Sequence, residues 1–154
     1  MFWHSYQLDP DAPIRQEKSN SERLAEKYNR SIAEIEEMQR NIAAMAKEEG
    51  IEFNWENANS GNTFNAHRII HLAQSLNLGN EAKEAFFYSY MTQGLAIGER
   101  ETIEDVAARI GLNPNQVEDV LNSDEFAEFV KYDEEVARDQ LKVTGVPFFV
   151  FDQG

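Results

Sequence analysis

Cysteine is absent from all 154 residues. No disulfide, thiolate nucleophile or cysteine-ligated metal can therefore form within this chain. Cationic side chains are scarce, 14 Lys and Arg against 28 Asp and Glu, for a net charge of −14. Such a surface repels polyanions, which argues against nucleic acid and anionic membranes as partners. No stretch approaches the ~18 continuous apolar residues of a membrane span. The opening "MFWHSYQLDPDAP" lacks the basic-then-apolar order of a signal peptide, so a cytoplasmic location is the default expectation. Proline is rare, at four residues. Pro10 and Pro13 break the first segment, Pro114 stands where a helix would begin, and Pro147 opens the last apolar run.

What remains is 42% apolar and 11% aromatic, enough for a packed core without staples. "FWHSYQL" from Phe2 alternates loosely and predicts a short strand. Helical patterns follow. "SERLAEKYN" is short. A longer one is capped by Ser31 with Glu34 completing a capping box. Along it Ile32, Ile35, Met38, Ile42 and Met45 predict one inward face, and Gly50 ends it. Asn62 or Thr63 caps "FNAHRIIHLAQSLN", with Phe64, Ile69, Leu72, Ala73 and Leu76 inward. "EAKEAFFYSYMTQG" reads as a central helix, "ETIEDVAARIG" as one stopped by Gly111, and Asn113 with Pro114 as the start of the next. Ser123 caps the last, "DEFAEFVKYDEEVARDQLK". Phe148 to Phe151 is a continuous apolar run suited to a strand buried on both faces.

Chemical motifs are few. His67 and His71 stand four apart on one helix, but Arg68 occupies the position where a zinc protease needs Glu, and no third ligand is evident. A packed or capping role is expected and a metal site is not. Acid pairs such as Glu36–Glu37 and Glu134–Glu135 point about 100° apart on a helix and read as solvated faces. Phe86, Phe87, Tyr88 and Tyr90 read as core. The Val146–Pro147 bond is open to two readings: a trans proline starting an edge strand, or a cis proline exposing backbone to a ligand. Only about 5–6% of X-Pro bonds are cis, so residues alone favour trans.

"TGVPFFVFD" resembles the cis-proline segment of DsbA-like thioredoxin-fold proteins of the FrnE type. "WHSYQLDPDAP" is similar to that family's second core strand and the turn after it. "NAHRIIHLA", "EAFFYSYMTQGLAIGERETIEDVAARIGL" and the stretch into "GVPFFV" resemble its helical insertion and return to the sheet. The resemblance implies a mainly α chain: a helical insertion domain at 15–142, and a partial thioredoxin-like domain from 1–14 and 143–154. Two remnant strands are expected at about residues 2–8 and 148–152.

The resemblance also implies thiol–disulfide oxidoreductase kinship, no cofactor, and peptide or glutathione thiol substrates in full-length relatives. Val146 and Pro147 would be the substrate-binding positions, and His67 and Arg68 structural. The family's Cys-x-x-Cys segment, which precedes this region, has no counterpart here, nor do its fourth strand and last helix. A truncated and redox-inactive member with no catalytic residue is therefore expected. Two alternatives stand beside it: a non-enzymatic helical interaction module that dimerises through exposed strands, and a relative of glutathione-dependent isomerases and kappa-class transferases.

Overall fold

Two S-x-x-E boxes open the helical region, and they act as such boxes should. Ser19 and Glu22 cap α1 (Asn20–Tyr28), and Ser31 and Glu34 cap α2 (Ile32–Glu48), each side chain bonding the other's backbone N–H. Ser19, two residues before the expected start, is thus the real cap of α1. α2 ends in a Schellman turn. Gly50 at φ 77° lets its own N–H reach Lys47 O at 3.1 Å and the Ile51 N–H reach Ala46 O at 2.9 Å.

The computed structural model describes residues 1–151. Five further helices follow: α3 (Phe64–Ser75), α4 (Gly79–Phe87), α5 (Arg100–Arg109), α6 (Pro114–Leu121) and α7 (Ala127–Glu135). Turns of π-helix continue α4 over Tyr88–Thr92 and α7 over Val136–Gln140. Of the two expected caps of α3, Asn62 accepts the Phe64 N–H at 2.9 Å, while Thr63, at the cap position itself, makes no side-chain cap bond. Asn113 likewise accepts the Asn115 N–H at 2.9 Å, with Pro114 at the first helical position. Ser123 accepts the Glu125 N–H at 3.1 Å. The helix itself begins only at Ala127, because Phe126 takes a left-handed φ of 61°.

The core runs through α3, α4, α5 and α6, with Ile69, Ala73, Phe86, Ile103, Val106 and Val120 among its buried members. Burying each large aliphatic side chain here stabilises the fold by about 1.5–3 kcal/mol. α3 is central, packing on α4, α5, α6 and α7. Three expectations about inward faces change. Leu76 is exposed at the end of α3, and Phe87 and Tyr88 point outward while Phe86 alone of the three is buried. On α2 only Ile35 of the periodic five is buried, because that helix packs chiefly on α1.

No β-strand forms among the described residues, which corrects the two strands expected at 2–8 and 148–152. A strand exists by pairing, and neither segment has another strand beside it. Residue 152 lies outside the described residues.

The turn between the N-terminal segment and α1 is clasped from below. Asn62 donates its N–H to Pro13 O at 2.8 Å and its side-chain amide to Pro10 O at 3.0 Å. Gly61 and Gly98 lie against the Ile14 carbonyl; a Cβ on them would sit 2.0 Å and 2.7 Å from its oxygen.

Arg68 holds the α6–α7 connection. It is buried, and its guanidinium donates to the carbonyls of Val120, Ser123 and Glu125, the last at 2.8 Å, and to Asn65 Oδ1 at 3.0 Å. A cation at the C-terminal end of α6 suits the carbonyl dipoles there. The structural role expected for Arg68 thus has a specific content: one planar fork satisfies three backbone acceptors. Arg68→Ala should cost about 3 kcal/mol, the penalty for stranding buried acceptors. Arg68→Lys should recover little of it, since an ammonium cannot span all three. Urea unfolding followed by circular dichroism measures both.

Candidate functional site

The N-terminal segment lies across α3, α4 and α7 in an unusual way: side chains meet its backbone. The Gln74 carboxamide accepts the Trp3 N–H at 2.7 Å and donates to the Trp3 carbonyl at 2.8 Å. Asp133 Oδ2 accepts the Ser5 N–H at 2.7 Å, and Glu134 Oε1 accepts the Gln7 N–H at 2.8 Å. Every second amide is thus met by a helix side chain in the manner of a neighbouring strand. The Trp3 indole N–H donates to Asn80 Oδ1 at 2.8 Å. Lys83 places its ammonium 5.4 Å from the Trp3 ring and 5.2 Å from Phe87, a cation–π clamp from α4.

Asp133 is the hub. It is buried and also takes His4 Nδ1 at 2.7 Å and His71 Nε2 at 3.2 Å. Ser5 Oγ stands 3.0 Å from the same nitrogen. A Ser–His–Asp relay needs the acid and the hydroxyl on opposite ring nitrogens, so this cluster is a junction and not a nucleophile. The His71 ring stacks parallel to Phe126 at 6.5 Å.

Burial alone would raise the Asp133 carboxyl. Hydrogen bonds from His71, His4 and the Ser5 N–H outweigh it and hold the group below its usual range. His67 is lowered too, which for a base favours the neutral form. Burial, and then the charges of Lys83 and His71, pull it down to about 3, against weaker opposition from Asp133 and a bond to the Tyr6 backbone. His67 therefore stays neutral at pH 7. The two histidines of "NAHRIIHLA" thus both face the N-terminal segment.

Val146 and Pro147, the expected substrate positions, are exposed, and the bond between them is cis. The run after them is exposed as well, from 50% at Phe148 to 84% at Phe151. The two ends of the chain meet: the Tyr6 hydroxyl donates to the Val143 carbonyl at 3.5 Å. Two shallow hollows of about 730 Å³ each lie elsewhere, one between the Asp9 to Lys18 stretch and Arg23, Glu26 and Lys27, the other between Arg15 to Asn20 and Glu56 to Asn59. Neither touches Val146 or Pro147.

Asp133 and Glu134 escape a sequence reading. Glu134 is expected on a solvated face, yet both are buried against the N-terminal segment. In a helix so rich in acids nothing marks which carboxylates face inward. Gln7 Oε1 is a buried acceptor with no partner among the described residues.

Asp133 has its lower folded-state value against an unfolded one near 3.8, so it contributes stability above that pH and loses it as pH falls further. His67 titrates near 6.5 unfolded and about 3 folded. The unfolded chain binds the extra proton between these values, so stability falls as pH drops below 6.5. The urea midpoint should therefore decline from pH 6.5 downward. His67→Gln should flatten the upper part of that decline. Asp133→Asn should flatten the part below about pH 4 and cost about 2 kcal/mol at pH 7.

Comparison with known proteins agrees with the architecture. A family profile described as DSBA-like thioredoxin domain matches residues 1–154. The chain superposes on the crystal structure of a probable DsbA oxidoreductase from Streptomyces coelicolor with a TM-score of 0.88 at 28% identity. The match covers 94% of this chain and 62% of that one. Comparison with curated proteins gives no match. The chain belongs to the DSBA-like thioredoxin domain family.

Proposed function

We propose that these 154 residues bind a substrate without transforming it, as the helical domain and substrate-facing segment of a FrnE-type DsbA-like protein. The helical part is residues 15–142; residues 1–14 and 143–154 belong to a thioredoxin-like part. An extended peptide or a glutathione thiol substrate lies along Val146 and Pro147. The observation that carries this reading is the complete lack of cysteine in a chain of this family. Exchange needs a thiolate, made nucleophilic in the redox members by a helix N-terminus, and this chain offers none. The exposure of Val146 and the contact of the N-terminal segment with the last one, at Tyr6 and Val143, support a binding role for the last segment.

The four exposed apolar residues Phe148 to Phe151 favour a second reading, a non-enzymatic module that adds its terminal segment to another chain's sheet. Under it the protein is a homodimer through that segment, and light scattering reports the dimer mass. A glutathione-dependent isomerase or transferase relationship is a third reading, kept or discarded by calorimetry with glutathione.

For the first reading, incubation with an oxidised model peptide should give no disulfide exchange above buffer. The reduced peptide should still shift the amide resonances of Val146 and Phe148. Turnover above buffer, or silence at both amides, overturns it.

A further inference from the structure

α2 stands apart from the rest of the fold. At 17 residues it is the longest helix, yet the main core contains none of its side chains. Its chief helical neighbour is α1. At about 100° per residue, Ile35, Gln39, Ala43 and Ala46 share one side. Ile35 and Gln39 there are buried, and the two alanines are half-covered. Next around the helix come Met38, Ile42 and Met45, a continuous stripe left 40%, 43% and 68% exposed. Beyond the stripe, on its solvent side, stand Glu37 and Glu48, both exposed, and Glu34, which closes the Ser31 box and lies 3.9 Å from Arg30. The two cations of α2, Arg40 and Lys47, lie past them on the far side, with Arg40 4.0 Å from Glu36. The helix therefore sorts its surface into an apolar stripe, an acidic rim and a remote basic edge.

We propose that this stripe is a docking site for a cationic amphipathic helix of a partner protein. Spacing at i, i+4 and i+7 is the pattern that receives a facing helix. Two of the three stripe residues are methionines, whose flexible thioethers accommodate varied apolar partners. The rim selects the charge of what binds: Lys or Arg flanking the partner's apolar face would meet Glu37 and Glu48, which sets orientation and speeds encounter. A second copy fits poorly, because pairing two stripes would bring two acidic rims together on molecules of charge −14 each. The stripe belongs to the α1–α2 pair and shares no residue with the Val146–Pro147 segment, so it does not depend on the reading above.

The test is a fluorescence-anisotropy titration of the chain against a labelled leucine–lysine peptide of about 18 residues, roughly five helical turns. Controls are the same composition scrambled to remove the apolar face, and a leucine–glutamate version. The leucine–lysine peptide should bind saturably, more weakly as salt rises, and the controls should not. Ile42→Asp and, separately, Met45→Asp should each weaken binding about ten-fold or more. Both positions are exposed, so the fold should survive, as thermal melts will verify. Glu37→Lys with Glu48→Lys should weaken it about five-fold and reduce its salt dependence. Absence of binding, equal binding of the scrambled peptide, or no effect of the stripe variants overturns the proposal. So does a sedimentation result in which the chain is a dimer that Ile42→Asp dissociates, since the stripe would then be occupied by its own copy.

Discussion

The backbone from Trp3 to Gln7 has no strand alongside it among the described residues, and each of its alternate amides is met by a helix side chain instead. Asp133 is the centre of that arrangement. A buried carboxylate in a chain of charge −14 is stable only if donors surround it. The ones it finds come from two other elements: His4 and the Ser5 N–H from the N-terminal segment, and His71 from α3. One ionised group thereby couples three parts of the fold that are distant in sequence. Gln74, Glu134 and the Lys83 clamp extend the same contact along the segment in both directions.

This coupling explains why the helical motif is rich in polar residues. His67 and His71 face the N-terminal segment, while Arg68, between them in sequence, reaches the opposite way to the carbonyls after α6. Successive helix positions differ by about 100°, so five residues can fasten two unrelated parts of the chain to α3. The apolar members of the same motif, Ile69 and Ile70, fill the core. A stretch that looks like a candidate ligand set is, side by side, a core face and two sets of fasteners.

Much of the helical architecture was legible because its signals are local. Ser31 with Glu34, Asn62, Asn113 with Pro114, and Gly50 each act within a turn of their own position, and all do so in the fold. What local pattern cannot carry is the identity of the neighbour. The α2 period announces an amphipathic helix correctly but says nothing about what covers Met38 or Ile42. Strand character in "FWHSYQL" and Phe148 to Phe151 is likewise a statement about side chains. The ladder that would turn it into a sheet does not form among the described residues. Asp133 was invisible for a third reason: its burial follows from where the N-terminal segment lands, more than a hundred positions away in the chain.

The Ile14 carbonyl, wedged against Gly61 and Gly98, makes the route from the first segment into α1 a fitted joint. Its shape is defined by two missing side chains and not by any contact they make. Because Asn62 grips the same turn from beside Gly61, a methyl group at either glycine would lever the turn outward as a unit. One methyl group at either buried glycine would thus be felt at this joint before anywhere else.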